Sequence, residues 1–178
     1  IIAMSGGLAG LFHEYSEKRL FEKQSRSYAW MVSLYTTAIA RFDAEIESVA
    51  PTLPDYALFR ALPGAGPNLA PRLLVAFGER RERFATAADV QLFVGVAPVT
   101  ESSGKQHWVH WRLQCPTFLR QTFVEWAAQT LTRSFWAGAY YRQQRAKGCA
   151  HQTAVRALAF KWIRILFRCW QLRTPYDE

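Results

Sequence analysis

No proline occurs before Pro51, and no glycine lies between Gly10 and Pro51. Residues 11–50 therefore run without either of the two residues that most often interrupt regular backbone. Phe42, Ile46 and Val49 recur at helical spacing, with Leu34 and Ile39 upstream and mostly charged or small residues between them. This pattern predicts one long amphipathic helix over about Leu8–Ala50, with Ser25–Ser27 as the place where it would break. Pro51 and Pro54 stop it, because proline removes a donor and disfavours helix in the residue before it. The boundary falls there: residues 1–53 are a coiled-coil-like helical spacer and residues 54–178 a compact helical domain.

Charge divides the chain at nearly the same point. Residues 1–59 hold five Lys/Arg and seven Asp/Glu, whereas residues 60–178 hold seventeen and seven. Between Glu125 and Asp177 there are nine basic residues and no acidic one. A solvated surface normally mixes signs, so a one-signed stretch of this length points to a polyanionic partner. Half of the residues are hydrophobic and 15% aromatic, which supports a packed core and argues against disorder. Cys115, Cys149 and Cys169 form no CxxC pair, so neither a disulfide framework nor a zinc site is indicated, and a reducing cytosol suits them. No apolar run is long enough for a membrane span. The opening Ile1-Ile2-Ala3-Met4 has neither an initiator methionine nor a signal-peptide pattern, and reads as the continuation of an upstream region.

In the basic domain, Leu58–Leu62 reads as a short helix entering Pro63-Gly64-Ala65-Gly66-Pro67, and a second helix follows to about Phe77. Two glycines around one residue allow a tight turn and expose amide donors just before a helix N-terminus, a natural seat for phosphate. The segment 55–78 resembles a helix-hairpin-helix module; a plain helical corner is the alternative. Thr86 with Asp89 forms a capping-box variant for a helix Ala87–Val94, ended by Gly95. Val96–Lys105 reads as a loop, and His107–Trp111 alternates over too few residues to set a strand. A helix is expected from Pro116 to about Trp136, broken or kinked at Gly138, with a short basic helix over Tyr140–Lys147. The last helix, His151–Leu172, places Val155, Leu158, Trp162, Leu166 and Cys169 on one face. Arg156, Lys161, Arg164 and Arg168 lie off that face, either solvated or in contact with phosphate. The whole is mainly α.

Common catalytic signatures are missing: no Walker-type phosphate loop, no HExxH and no G-x-S-x-G. Carboxylates are scarce where positive charge is dense, and His107 with His110 suggests no third ligand, so no metal site is predicted. What remains is Thr100–Lys105, with Ser102, Ser103 and Gly104 followed by Lys105 and Arg112. A serine outside helical hydrogen bonding, beside a glycine and near cations, can attack a phosphodiester and have its transition state stabilised. From the residues alone Ser103 is a weak candidate, since Ser-Ser-Gly is common in loops.

An ordered set of motifs sharpens this reading: Leu62–Pro67, Phe84, Phe93–Pro98, Glu101–Lys105, Trp108–Pro116 and Arg133–Tyr141. Together they resemble the C-terminal transposase domain of the insertion sequence 110 family, especially the subgroup numbered 1111, the bridge-RNA-guided serine recombinases. The resemblance covers residues 55–178. It implies that a serine forms a covalent phosphoserine link to DNA, and maps that serine onto Ser103, with Ser102 the alternative. It implies phosphate contact by Lys105 and Arg112, a structured guide RNA as partner, and a homo-oligomer, dimeric or tetrameric, whose active site is shared between subunits. It also implies Mg²⁺ bound by four acidic residues of an RNase H-like domain. No matching acidic set is present here, so no cofactor is expected in this chain and the chain alone is expected not to cut DNA. A nucleoid-associated, cytoplasmic location would follow. The competing readings are a non-catalytic helix-hairpin-helix DNA-binding module and a helical RNA-binding protein.

Overall fold

The computed structural model describes residues 5–178 except Trp111, with side chains described from residue 15 onward, His107 excepted. Seven α-helices and one two-stranded sheet make up the described chain. It divides into two units, one to Glu45 and one from Ile46.

Helix α1 spans Ser5–Val49 without interruption. The expected break at Ser25–Ser27 is absent. Hydroxyls that could compete with the backbone instead bond the carbonyl four residues back: Ser27 Oγ to Lys23 O at 3.0 Å and Thr36 Oγ1 to Val32 O at 2.7 Å. Tyr28, Val32, Tyr35, Ile39, Phe42, Ile46 and Val49 alternate spacings of four and three along it, the repeat of a coiled-coil seam. All seven are exposed, from 44% at Ile46 to 66% at Tyr35. A 3₁₀ turn, Ala50–Thr52, follows at Pro51.

From Tyr56 the chain builds helices α2 (Tyr56–Arg60), α3 (Gly66–Phe77) and α4 (Ala87–Phe93), strands β1 (Val99–Ser103) and β2 (Gln106–His110), then α5 (Thr117–Thr130), α6 (Phe135–Ala146) and α7 (His151–Leu172). Helix α7 is central, packing against α4, α5 and α6, while α3 packs against α2 and α5. The apolar face read from the sequence is the buried one: Val155, Leu158, Trp162 and Leu166 are fully enclosed, although Cys169 is only half-buried. The predicted capping box is present, with Thr86 Oγ1 accepting from Asp89 N and Asp89 Oδ2 from Thr86 N.

The core is held by aromatic rings whose polar atoms all find partners, as buried indoles require. Phe77 meets Phe59, Phe123 and Trp170 at centroid distances of 5.7, 6.2 and 5.3 Å. Trp162 meets Trp126 at 5.0 Å and Trp136 at 4.6 Å. The indole nitrogens of Trp162 and Trp170 donate to Thr130 Oγ1 and Gly78 O, each at 2.9 Å.

Three expectations are corrected here. The helix from Pro116 ends at Thr130, not Trp136, because Ser134 caps a new helix by accepting from Ala137 N. Gly138 neither breaks nor kinks that new helix; it lies inside α6, where a Cβ would sit 2.8 Å from the Leu131 carbonyl oxygen. The loop expected over Val96–Lys105 is half strand, since residues 99–103 pair with 106–110.

Candidate nucleic-acid interface

The hairpin explains where the two serines stand. Ser103 pairs with Gln106, leaving Gly104-Lys105 as a two-residue turn. Gly104 has φ 59° and Lys105 has negative φ, the pattern of a II′ turn, which needs glycine at its first central position. The Gly104-Lys105 pair was the mark of this hairpin in the sequence. Residues 100–106 are all exposed, and nothing lies within 4 Å of where a Gly104 Cβ would be. Side chains alternate along a strand, so Ser103 shares a face with Glu101, Gln106, Trp108 and His110, and Ser102 shares the other with Thr100 and Val109. On the Ser103 face, His110 Nε2 lies 3.1 Å from Glu101 Oε1. Lys105 is exposed at the turn itself.

The glycine turn between α2 and α3 is pinned from one side. Trp126 Nε1 donates to Pro63 O at 2.9 Å, and a Cβ on Gly64 would meet Gln129 Cβ at 3.0 Å. Gly64 and Gly66 have φ of 72° and 59°. Ala65 is buried and its amide donates to Leu62 O, so it does not face outward. Gly66 has nothing within 4 Å of its Cβ position, and it opens the first turn of α3, whose amides lack intrahelical acceptors. Pro67 has no amide hydrogen, which leaves Gly66 and exposed Asn68 as the outward donors.

The basic residues separate into structural and outward ones. Arg72 bonds Thr122 Oγ1 and Glu125 Oε2, joining α3 to α5. Arg81 forms a two-pronged pair with Asp55 at 2.6 and 2.8 Å and lies over the Trp170 ring. The Arg81 hydrogen bonds hold the Asp55 carboxyl below its usual range although burial pushes it upward. Lys161, Arg164 and Arg168 are exposed along one side of α7. Arg156 and Arg112 are half-buried. Arg120, which the sequence reading passed over, donates to the Arg112 carbonyl and lies near enough to Arg156 for its charge to lower that residue's pKa, after burial. The signal for Arg120 was the absence of any acid between Glu101 and Glu125. The hairpin, the glycine turn and the α7 stripe belong to separate elements; the one grouping among the predicted contacts is Arg112 with Arg156, through Arg120.

Among the described residues no three His, Cys, Asp or Glu side chains are placed to hold a metal ion, and no helix is long and apolar enough to cross a membrane. Of the carboxylates near this region, Glu125 is engaged by Arg72, Asp55 by Arg81 and Glu101 by His110. The donor set does not fit a resident Mg²⁺.

Residues 56–142 match the family described as Transposase IS116/IS110/IS902 family. These residues carry the family's transposase domain. The match begins with α2 and ends within α6, so it takes in the glycine turn, the serine hairpin and Arg112 with Arg120. Over 124 residues, 70% of this chain, the sequence is 35% identical to a Streptomyces coelicolor mini-circle protein assigned as the transposase for IS117. Over 137 residues, 76% of this chain, it is 30% identical to a 43.6 kDa protein of insertion element IS110 from the same organism. The aligned parts make up 30% and 34% of those proteins, so the chain spans about a third of the curated relatives it matches.

Proposed function

We propose that this chain contributes DNA binding and a serine nucleophile to the transposition of an insertion sequence, with Ser103 as the attacking residue. The observation that carries this reading is the placement of Ser103 on an exposed strand beside the open Gly104 turn, inside the segment that matches a transposase domain. Its Oγ would bond to a DNA phosphorus while a phosphorus–oxygen bond of the strand breaks, and the serine proton would pass to the departing strand oxygen, which leaves as a hydroxyl. The exposed turn gives a phosphate room to approach. Lys105 at that turn supplies a cation where charge develops.

Gly66 with the first turn of α3, and Lys161, Arg164 and Arg168 on α7, would hold DNA backbone without reading sequence. Sequence choice would rest with a structured guide RNA. Mg²⁺ would be bound by an acidic RNase H-like domain outside these residues. Two copies would join through the heptad seam of α1, which is apolar at successive seam positions and exposed along its length. The deciding experiment joins this chain to such an acidic domain and looks for a covalent DNA–protein adduct on a denaturing gel. An adduct that Ser103→Ala removes is the expected result; an adduct that persists in Ser103→Ala refutes the nucleophile assignment.

A further inference from the structure

Val99, Glu101, Ser103, Gln106, Trp108 and His110 share one face of the hairpin, and Trp108 is the large aromatic ring among them. Its side chain is 48% exposed, whereas Trp126, Trp162 and Trp170 are fully enclosed in the core. The sheet is two-stranded, so the open part of the ring is reached directly from solvent. An indole left half in water gives the fold only part of the stabilisation that its area could supply.

The strand register sets where this ring stands. Ser103 pairs with Gln106 and Glu101 with Trp108, which makes Trp108 the diagonal neighbour of Ser103 on the same face. Diagonal neighbours in an antiparallel pair lie about 7–8 Å apart, within reach of an aromatic side chain. A phosphodiester at the Ser103 hydroxyl would bring a base of one of its two nucleosides over the indole. The charges nearby suit such a strand. Glu101 is the one acidic residue in 99–110, and His110 Nε2 lies 3.1 Å from its Oε1. His110 pairs with Val99, so this contact draws the carboxylate toward the base of the hairpin and away from Ser103. Lys105 is exposed at the turn on the other side of Ser103. An aromatic plate beside a cation is how proteins hold single nucleic-acid strands with little regard to base identity.

We propose that Trp108 is a positioning residue whose indole stacks on the base next to the phosphate that Ser103 attacks, and so fixes that phosphate at the serine hydroxyl. The proposal rests on the reading of Ser103 as the nucleophile and adds to it that the strand is unpaired at this point, since a base within a duplex has no free face to offer.

The test separates stacking from phosphate contact, using the whole chain. Fluorescence anisotropy compares a labelled strand of about 12 thymidines with the same backbone made abasic throughout. The parent should bind the thymidine strand about tenfold more tightly, the scale of one stacked base. Trp108→Ala should bring the two affinities within about twofold of each other, and Trp108→Phe should keep most of the preference. The dependence on salt should be the same in all three, because no phosphate contact is removed. A parent without the preference overturns the proposal. So does a Trp108→Ala chain that weakens for both strands alike and keeps the preference, which would make the ring structural only. Nearness to the serine is read with Ser103→Cys and a thymidine strand carrying an activated disulfide on one internal phosphate, where the cysteine thiolate displaces the activating thiol and joins the DNA. The yield should fall when the base beside that phosphate is removed, and also when Trp108→Ala is added; equal yields overturn the placement. A chain that binds neither strand counts against DNA binding itself and against this proposal with it. The Ser103→Ala adduct assay decides the nucleophile reading on its own, so the two can fail separately.

Discussion

Ser102 and Ser103 are adjacent in the chain yet project from opposite faces of β1, because side chains alternate along a strand. A phosphodiester approaching one face of the hairpin can meet only one of them. Ser103→Ala should therefore lower strand transfer by roughly a thousandfold or more in a protein that carries the acidic domain, as loss of a nucleophile does. Ser102→Ala should stay within a few-fold of the parent. Strand-transfer assays on the two variants check this; equal losses would mean that the hairpin does not discriminate between the serines.

The glycine turn yields a pair of opposed expectations. Gly64 has positive φ and its Cβ position abuts Gln129, so Gly64→Ala should strain the backbone and crowd α5. Left-handed backbone costs an L-residue about 1–2 kcal/mol, which predicts a Tm lower by several degrees. Gly66 also has positive φ, but its Cβ position is open. Gly66→Val should therefore carry a similar strain without the crowding, and its larger effect should be on duplex DNA affinity. Thermal melts with binding isotherms separate the two. Unchanged duplex affinity in Gly66→Val would remove the turn from the interface.

Much of this fold was legible in the sequence where a residue's local role and its tertiary role agree. The Thr86–Asp89 capping box and the whole of α7 were readable, since caps are local and the α7 core face is periodic. The break between α5 and α6 was not, because Phe135 and Trp136 continue an apolar pattern and only the Ser134 cap marks a new start. The hairpin was missed because its strands are exposed on both faces, so no apolar alternation announces them; Gly104-Lys105 was the overlooked mark. In the candidate site, Lys161, Arg164 and Arg168 stand outward as their spacing implied. Nothing local distinguishes Arg81 from them. Its pairing with Asp55 depends on a contact 26 residues away in sequence.

That pair sets the acid limb of stability. The Asp55 carboxyl is held below its ordinary value mainly by hydrogen bonds from Arg81. Its stabilising contribution is fully present above the unfolded-state pKa of about 4 and is lost as pH falls through the lowered native value. Stability measured by urea unfolding should fall steadily below about pH 4 in the parent. Asp55→Asn should be less stable at pH 7 and show a shallower decline with acid. An acid limb as steep as the parent's would show that other carboxylates dominate it.

The α7 stripe predicts a salt signature. Each cation that neutralises a DNA phosphate releases counterions, so log affinity falls with log salt in proportion to the number of contacts, with a slope near 0.9 per phosphate for duplex DNA. Replacing Lys161, Arg164 and Arg168 together by Ala should weaken duplex binding similarly for every sequence and make the slope shallower by about 3. Because all three are exposed, the melting temperature should hardly change. An unchanged slope would return the stripe to a solvated face.

Helix α1 carries the last expectation. Ile39 and Phe42 are 58% and 65% exposed and occupy consecutive seam positions of a four-three repeat that runs from Tyr28 to Val49. Such a seam is stable when a partner helix covers it, and a second copy of this chain offers the same seam. Multi-angle light scattering should show an oligomer for the parent chain. Ile39→Glu with Phe42→Glu should convert it to monomer, since like charges would then face each other across the seam, while α3–α7 keep their cooperative melt. A parent that is monomeric at micromolar concentration, or a double variant that stays oligomeric, would place the subunit contact elsewhere than on α1.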